Sequence, residues 1–130
     1  MRSVSEADCA RLARSAMEAF SVIASAWLLT PSEAEAILGR PVEAARQLST
    51  MGKADALLPE TLERVGHLIG IYRTLHTIFS ISDQANSWVR RRNSGTTFCG
   101  ETPLALMCKG RMADLKTVRR YLQEEGLGPE

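Results

Sequence analysis

At 130 residues the chain has the size of one domain, or one domain with an arm, and buries enough surface to fold without a disulfide or metal staple. Hydrophobic residues make up 45% but aromatic residues only 5%, so the core must be aliphatic. Sixteen Lys and Arg against fifteen Asp and Glu give a formal charge of +1, which excludes a uniformly basic nucleic-acid coat and an acidic disordered tail.

The cysteines, Cys9, Cys99 and Cys108, have irregular spacing that fits neither a disulfide framework nor a CxxC pattern, so reduced thiols are expected. The apolar stretch from Phe20 to Leu29 is broken by Ser21 and Ser25 and falls short of the roughly 20 residues of a membrane span. Glu6 and Asp8 stand where a signal peptide would need basic and then apolar residues. A cytoplasmic protein with no membrane partner is the expectation.

Pro, Gly, Ser and Thr cut the chain into segments of helical period, and none alternates as a strand does. The fold class is all-α, a compact bundle of about six to seven helices. The first helix is predicted from about Ser5 to Trp27, with Leu12, Ala16, Phe20, Ile23 and Trp27 on one face. Thr30-Pro31-Ser32-Glu33 supplies a capping hydroxyl, a proline for the first helical position and a glutamate able to return a hydrogen bond to the cap. Gly39 stops that short helix and Pro41 opens another through Leu48, giving a helix-turn-helix shape.

Met51 to Leu58 reads as a connection, and Pro59 to Phe79 as the central helix. Leu62, Val65, Ile69, Tyr72 and Phe79, flanked by Leu68, Ile71, Leu75 and Ile78, form an apolar stripe too wide for a surface helix. Such a helix is central to the core or shared with a second subunit, and a homodimer is expected. Ser82 or Asp83 is predicted to cap a helix to about Arg91, followed by a polar loop from Asn93 to Gly100. Thr102-Pro103 starts a helix that Lys109-Gly110 ends, Asp114 opens the last one, and Gly126 to Glu130 is expected to fray. The chain divides into an N-terminal helix-turn-helix-like and dimerisation region, 1–80, and a C-terminal region, 81–130.

No P-loop, GxGxxG, HExxH or GxSxG motif is present, and neither a catalytic residue, a metal nor a cofactor is expected. His67 and His76 lie about 900 degrees apart around one helix, on opposite faces, and cannot share a metal through it. His76 continues an apolar line and reads as a partly buried histidine hydrogen-bonded by a neighbour. Cys99 beside Gly100 has no base placed near it, so a small cysteine enzyme ranks last.

Charge distribution says more than net charge. Between Trp88 and Leu122 eight basic residues, Arg90, Arg91, Arg92, Lys109, Arg111, Lys116, Arg119 and Arg120, face two acidic ones, a local +6 that leaves −5 for the rest. Such a basic segment suits an acidic protein surface, a phosphate-bearing ligand or nucleic acid. In the helix-turn-helix shape Arg40, Arg46 and Gln47 are the candidate DNA contacts, but Glu33, Glu35 and Glu43 outnumber the two arginines. A DNA-binding transcriptional regulator acting without a toxin partner is the alternative reading.

Trp88-Val89, Arg92-Asn93, Phe98, Gly100, Thr102-Pro103-Leu104, Met107, Gly110, Leu115, Val118 and Leu122 together resemble the toxin-binding domain of the Xre/MbcA/ParS antitoxins. That family carries a tryptophan-led helix, a Pro-Asn loop, a Gly-x-x-Pro-Leu turn and a closing helix, and Arg92 stands here where it has proline. Leu29-Thr30 to Leu38-Gly39, and the long helix from Pro59-Glu60 with Glu63-Arg64, also match its layout.

The resemblance implies a non-enzymatic antitoxin of a type II pair. Its partner would be a RES-domain toxin, NAD-consuming or ADP-ribosyltransferase, covered over its NAD site, and the complex would also repress its own operon through operator DNA. A homodimer would sit within the hetero-oligomer. The residues it points to for toxin binding are Trp88, Arg90, Arg91, Arg92, Asn93, Lys109, Arg111, Arg119 and Arg120, together with the tail acids Glu124, Glu125 and Glu130. Basic patch and acidic tail remain alternative means of covering that site.

Overall fold

A computed structural model describes the backbone of residues 6–50, 59–93 and 97–126, and their side chains except those of 6–10, 48–50, 125 and 126. The predicted connection 51–58 and the tail 127–130 lie outside the described residues. All regular structure among those described is helical. None of their helices is long and apolar enough to cross a membrane, and neither Cys99 nor Cys108 is in a disulfide.

The first helix, α1 (Glu6–Ala26), buries Ala13, Met17, Phe20 and Ile23, and Trp27 just past its end is buried with them. The expected stripe is corrected in its first half: Leu12 is 52% exposed and Ala16 half-buried. Both sets of positions recur at helical steps, so spacing does not choose between residues 12 and 13; the packing of α1 against the third helix and the long helix that follow turns Ala13 and Met17 inward.

The end of α1 is a left-handed turn built without glycine. Leu28 has φ 56°, and the Leu29 N–H donates to the Ala24 carbonyl at 2.9 Å, the long-range bond of a Schellman turn. Leu28 itself is 75% exposed. The chain then enters α2 (Pro31–Leu38), whose start is as predicted: Glu33 N–H donates to Thr30 Oγ1 at 3.1 Å and Thr30 N–H to Glu33 Oε1 at 2.9 Å. Gly39, at φ 85°, ends the helix, and Pro41 leads into α3 (Val42–Thr50).

The long helix is α4 (Glu60–Ile78), and it buries Thr61, Arg64, Val65, Leu68, Ile71 and Leu75. It packs against α1, α2, α5 (Ser82–Ser87) and α7 (Met112–Tyr121), which makes it central within the chain. Leu62, Ile69 and Tyr72 stay half-buried, because the buried stripe is centred on Leu68, Ile71 and Leu75 instead.

In α5 the predicted cap is corrected. Ile81 holds the cap position without a side-chain bond, and Ser82 and Asp83 fall inside the first turn, where Asp83 faces the positive helix end. The helix tightens into a 3₁₀ turn over Trp88–Arg90. Next come α6 (Pro103–Met107), capped by Thr102 Oγ1 accepting from the Ala105 N–H at 3.0 Å, and α7. Two residues before the predicted start at Asp114, Met112 opens α7, with Arg111 at its cap, and a π turn over Leu122–Gly126 continues it. One buried apolar cluster, from Ala13 of α1 through α4 to Leu122, joins the two regions.

Candidate protein-binding surface

The C-terminal region is held together by three aromatic rings. Phe98 sits edge-on to Trp88, with ring centres 6.0 Å apart, and to Tyr121 at 5.0 Å, while Trp88 and Tyr121 stack at 6.2 Å. The segment predicted as a polar loop thus carries a buried anchor, since Phe98 is 4% exposed. Its ends are tied by backbone bonds from Asn93 N–H to Glu101 O, 3.1 Å, and from Gly100 N–H to Asn93 O, 2.8 Å. The Asn93 amide also donates to the Tyr121 hydroxyl at 3.2 Å, fastening the loop to α7.

Within this frame the basic side chains separate into two sets. Arg90 is spent on the fold: its guanidinium donates to the carbonyls of Trp27 (3.0 Å) and Leu28 (2.7 Å) at the end of α1, and to Glu33 Oε1 at 2.8 Å. It therefore stabilises the strained Leu28 turn, and a cation at a helix C-terminus also complements the helix dipole. The Glu33 carboxyl is held below its ordinary pKa by the Thr30 N–H and by Arg90. Arg91 donates to Gln84 O and Ser87 Oγ and lies over the Phe79 ring at 5.7 Å. Arg111 grips Asp114 with two bonds, 2.8 and 3.2 Å.

Arg119 belongs to a polar seam between α4 and α7. Its Nη1 donates to His67 Nδ1 at 3.2 Å, Glu63 lies 3.7 Å from His67 Nε2, and Lys116 reaches Glu63 at 3.6 Å. Gly70 admits the guanidinium, since a Cβ there would fall 2.5 Å from Arg119 Nε. His76, on the opposite face of α4, is the hydrogen-bonded histidine predicted: Nε2 meets Asn86 Oδ1 at 2.9 Å and the ring tilts onto Tyr72.

Arg92, Lys109 and Arg120 form the second set. They reach solvent and engage no hydrogen-bond or ion-pair partner among the described residues. Trp88 is half-buried and Glu124 exposed, while the Glu125 side chain and Glu130 lie outside the described residues. Of the candidate DNA contacts, Arg46 pairs with Glu43 at 3.0 Å, and Arg40 and Gln47 also have partners. No group of His, Cys, Asp and Glu among the described residues could hold a metal ion.

Sequence reasoning missed Arg64, buried beneath the turn between α6 and α7, and the whole seam around His67. The signal for Arg64 was available: it lies three residues from Thr61 and four from Leu68, a charged residue in the buried stripe.

The seam carries a pH dependence. Burial, then the nearby Arg119 and Lys116 cations, push the His67 pKa below its ordinary value near 6.5, against the opposing pull of Glu63. The unfolded chain accordingly binds a proton more readily than the folded one as pH falls through about 6.5, so stability is full above that pH and declines below it. Urea unfolding between pH 7.5 and 5.5 is expected to show this decline, and His67→Asn, which keeps an acceptor for Arg119, to flatten it. An unchanged slope in His67→Asn would remove His67 as its cause.

No family profile matches the chain, and the comparison with solved structures gave no significant match. It is similar to the uncharacterized protein y4oB of Sinorhizobium fredii, with 34% identity over 110 residues that cover 84% of this chain and 82% of that one.

Proposed function

The chain belongs to the same family as y4oB, a membership that assigns no activity, and from its C-terminal region we propose that it is a non-enzymatic antitoxin of a type II toxin-antitoxin pair. In this reading the region from about Ser82 onward covers the NAD site of a RES-domain toxin. Arg92, Lys109 and Arg120 carry the reading, because three cations that contribute no bond to the fold are available to acidic groups on a partner. The motif residues around them, Trp88, Phe98, Gly100, Pro103 and Gly110, build the rigid frame that presents them.

Rigidity matters energetically. An interface whose backbone is already ordered loses less conformational entropy on binding. The half-buried Leu62, Ile69 and Tyr72 of α4 are the surface this reading gives to a second copy of the chain.

The test is an assay of NAD loss by a RES-domain enzyme, taken from the reading frame beside this chain if that frame encodes one, and its absence there counts against the reading. Equimolar chain is expected to stop the loss and to co-elute with the enzyme. Continued NAD loss with no complex at micromolar concentrations would overturn the reading.

A further inference from the structure

The end of the molecule formed by α1, α2 and α3 holds an open cavity of about 550 Å³. Phe20, Ala24, Leu29, Ala34 and Val42 give it an apolar lining. Its walls are fixed by features already described: the left-handed turn that aims Leu29 inward, the Thr30–Glu33 capping box, and Pro31 and Pro41. A volume in the range of roughly 300 to 1,000 Å³, mostly apolar with a few polar groups, is the pattern of a small-molecule site.

The polar groups set the sign of the ligand. Arg46 and Glu43 line the cavity but neutralise one another through their ion pair at 3.0 Å. Glu35 also lines it, with no hydrogen-bond or ion-pair partner for its carboxylate among the described residues, and the half-buried Ser21 likewise leaves its hydroxyl unused. The net balance is one uncompensated negative charge beside an apolar wall. An anionic ligand would meet Glu35 unfavourably, and a neutral one would leave its charge unanswered.

We infer that this cavity binds an amphipathic organic cation, its apolar body against Phe20, Ala24 and Val42 and its ammonium group on Glu35 with Ser21 as a second acceptor. This site is independent of the C-terminal surface. It lies among the helices of the helix-turn-helix-like segment, so an occupant touching all three would tie α3 to α1 and α2.

Tryptamine is a suitable probe, with tryptophol as its neutral analogue and indole-3-propionate as its anionic one. Calorimetric titration of the full chain is expected to give saturable tryptamine binding with a Kd on the order of 1 mM, about tenfold weaker binding of tryptophol, and none of the anion. Glu35→Gln should remove the preference for the amine, and Ala24→Phe, which fills the cavity, should abolish binding. Glu35 is exposed, so Glu35→Gln decides the question even if Ala24→Phe fails to fold.

No saturation by about 10 mM tryptamine, equal binding in Glu35→Gln, or a preference for the anion would overturn the assignment. So would concentration-dependent self-association that Ala24→Phe abolishes and tryptamine leaves untouched, which would give the cavity to a second copy.

Discussion

Arg64→Met is expected to destabilise the protein by about 3 kcal/mol, because it strips the guanidinium hydrogen bonds from two carbonyls, those of Ile37 and Gly110. The Arg64 side chain is 7% exposed. Its Nη1 donates to the Ile37 carbonyl in the last turn of α2 at 3.1 Å, and its Nη2 to the Gly110 carbonyl between α6 and α7 at 2.7 Å. Nε completes the set on Glu60 at 3.1 Å. One guanidinium on the central helix thus fastens a helix end from each region of the chain, and Gly39 leaves room for it, since a Cβ there would lie 2.9 Å from Arg64 Cζ.

Methionine restores the volume but has no donor. Glu60 is mostly exposed and recovers its hydration, so the loss falls on the two carbonyls, at about 1–3 kcal/mol each. Arg64→Lys keeps the charge as a compact point donor without the planar fork and is expected to lose roughly half as much. Urea unfolding followed by circular dichroism should show a lowered midpoint at unchanged slope. A midpoint for Arg64→Met within experimental error of the parent would mean that water serves those carbonyls.

What the sequence made legible follows from how local each cause is. The start of α2 could be read residue by residue, because a capping box is closed by side chains three positions apart and needs nothing from the rest of the chain. The Gly39 and Gly110 stops were readable for the same reason, as both have φ near +86°. The register of α1 was only half readable: Leu12 and Ala13 are both apolar, and which one faces inward is decided by helices that arrive later in the chain.

Arg64 and Arg90 were beyond local reading. Their partners lie 27 and 46 residues away for Arg64, and 57 to 63 residues away for Arg90. A count of basic residues could register the +6 of the C-terminal segment but could not divide it into side chains that hold the fold and side chains that face outward. Phe98 shows the same limit in reverse, an anchor within a stretch of polar composition whose partners, Trp88 and Tyr121, flank it at a distance in sequence.

That division yields the second large effect. The triple reversal Arg92→Glu, Lys109→Glu, Arg120→Glu is expected to leave the unfolding midpoint nearly unchanged, since exposed side chains without partners contribute within about 0.5 kcal/mol each. If the chain is the antitoxin proposed above, its affinity for a RES-domain toxin should nevertheless fall by roughly two to three orders of magnitude, because like charges set against acidic groups on such a partner are repelled rather than merely unpaired.

The parent complex should weaken with added salt and the triple variant should not, as screening acts on attractive exposed pairs. Arg90→Ala provides the contrast. It releases the Trp27 and Leu28 carbonyls and Glu33, so its primary effect is on stability, by about 1–2 kcal/mol, with toxin affinity changed little once the chain is folded. If instead the triple variant binds as the parent does, with the same salt dependence, the outward cations have no part in recognition. Neutralisation would then fall to the acidic tail, which deletion of residues 126–130 would expose as a loss of protection against NAD loss.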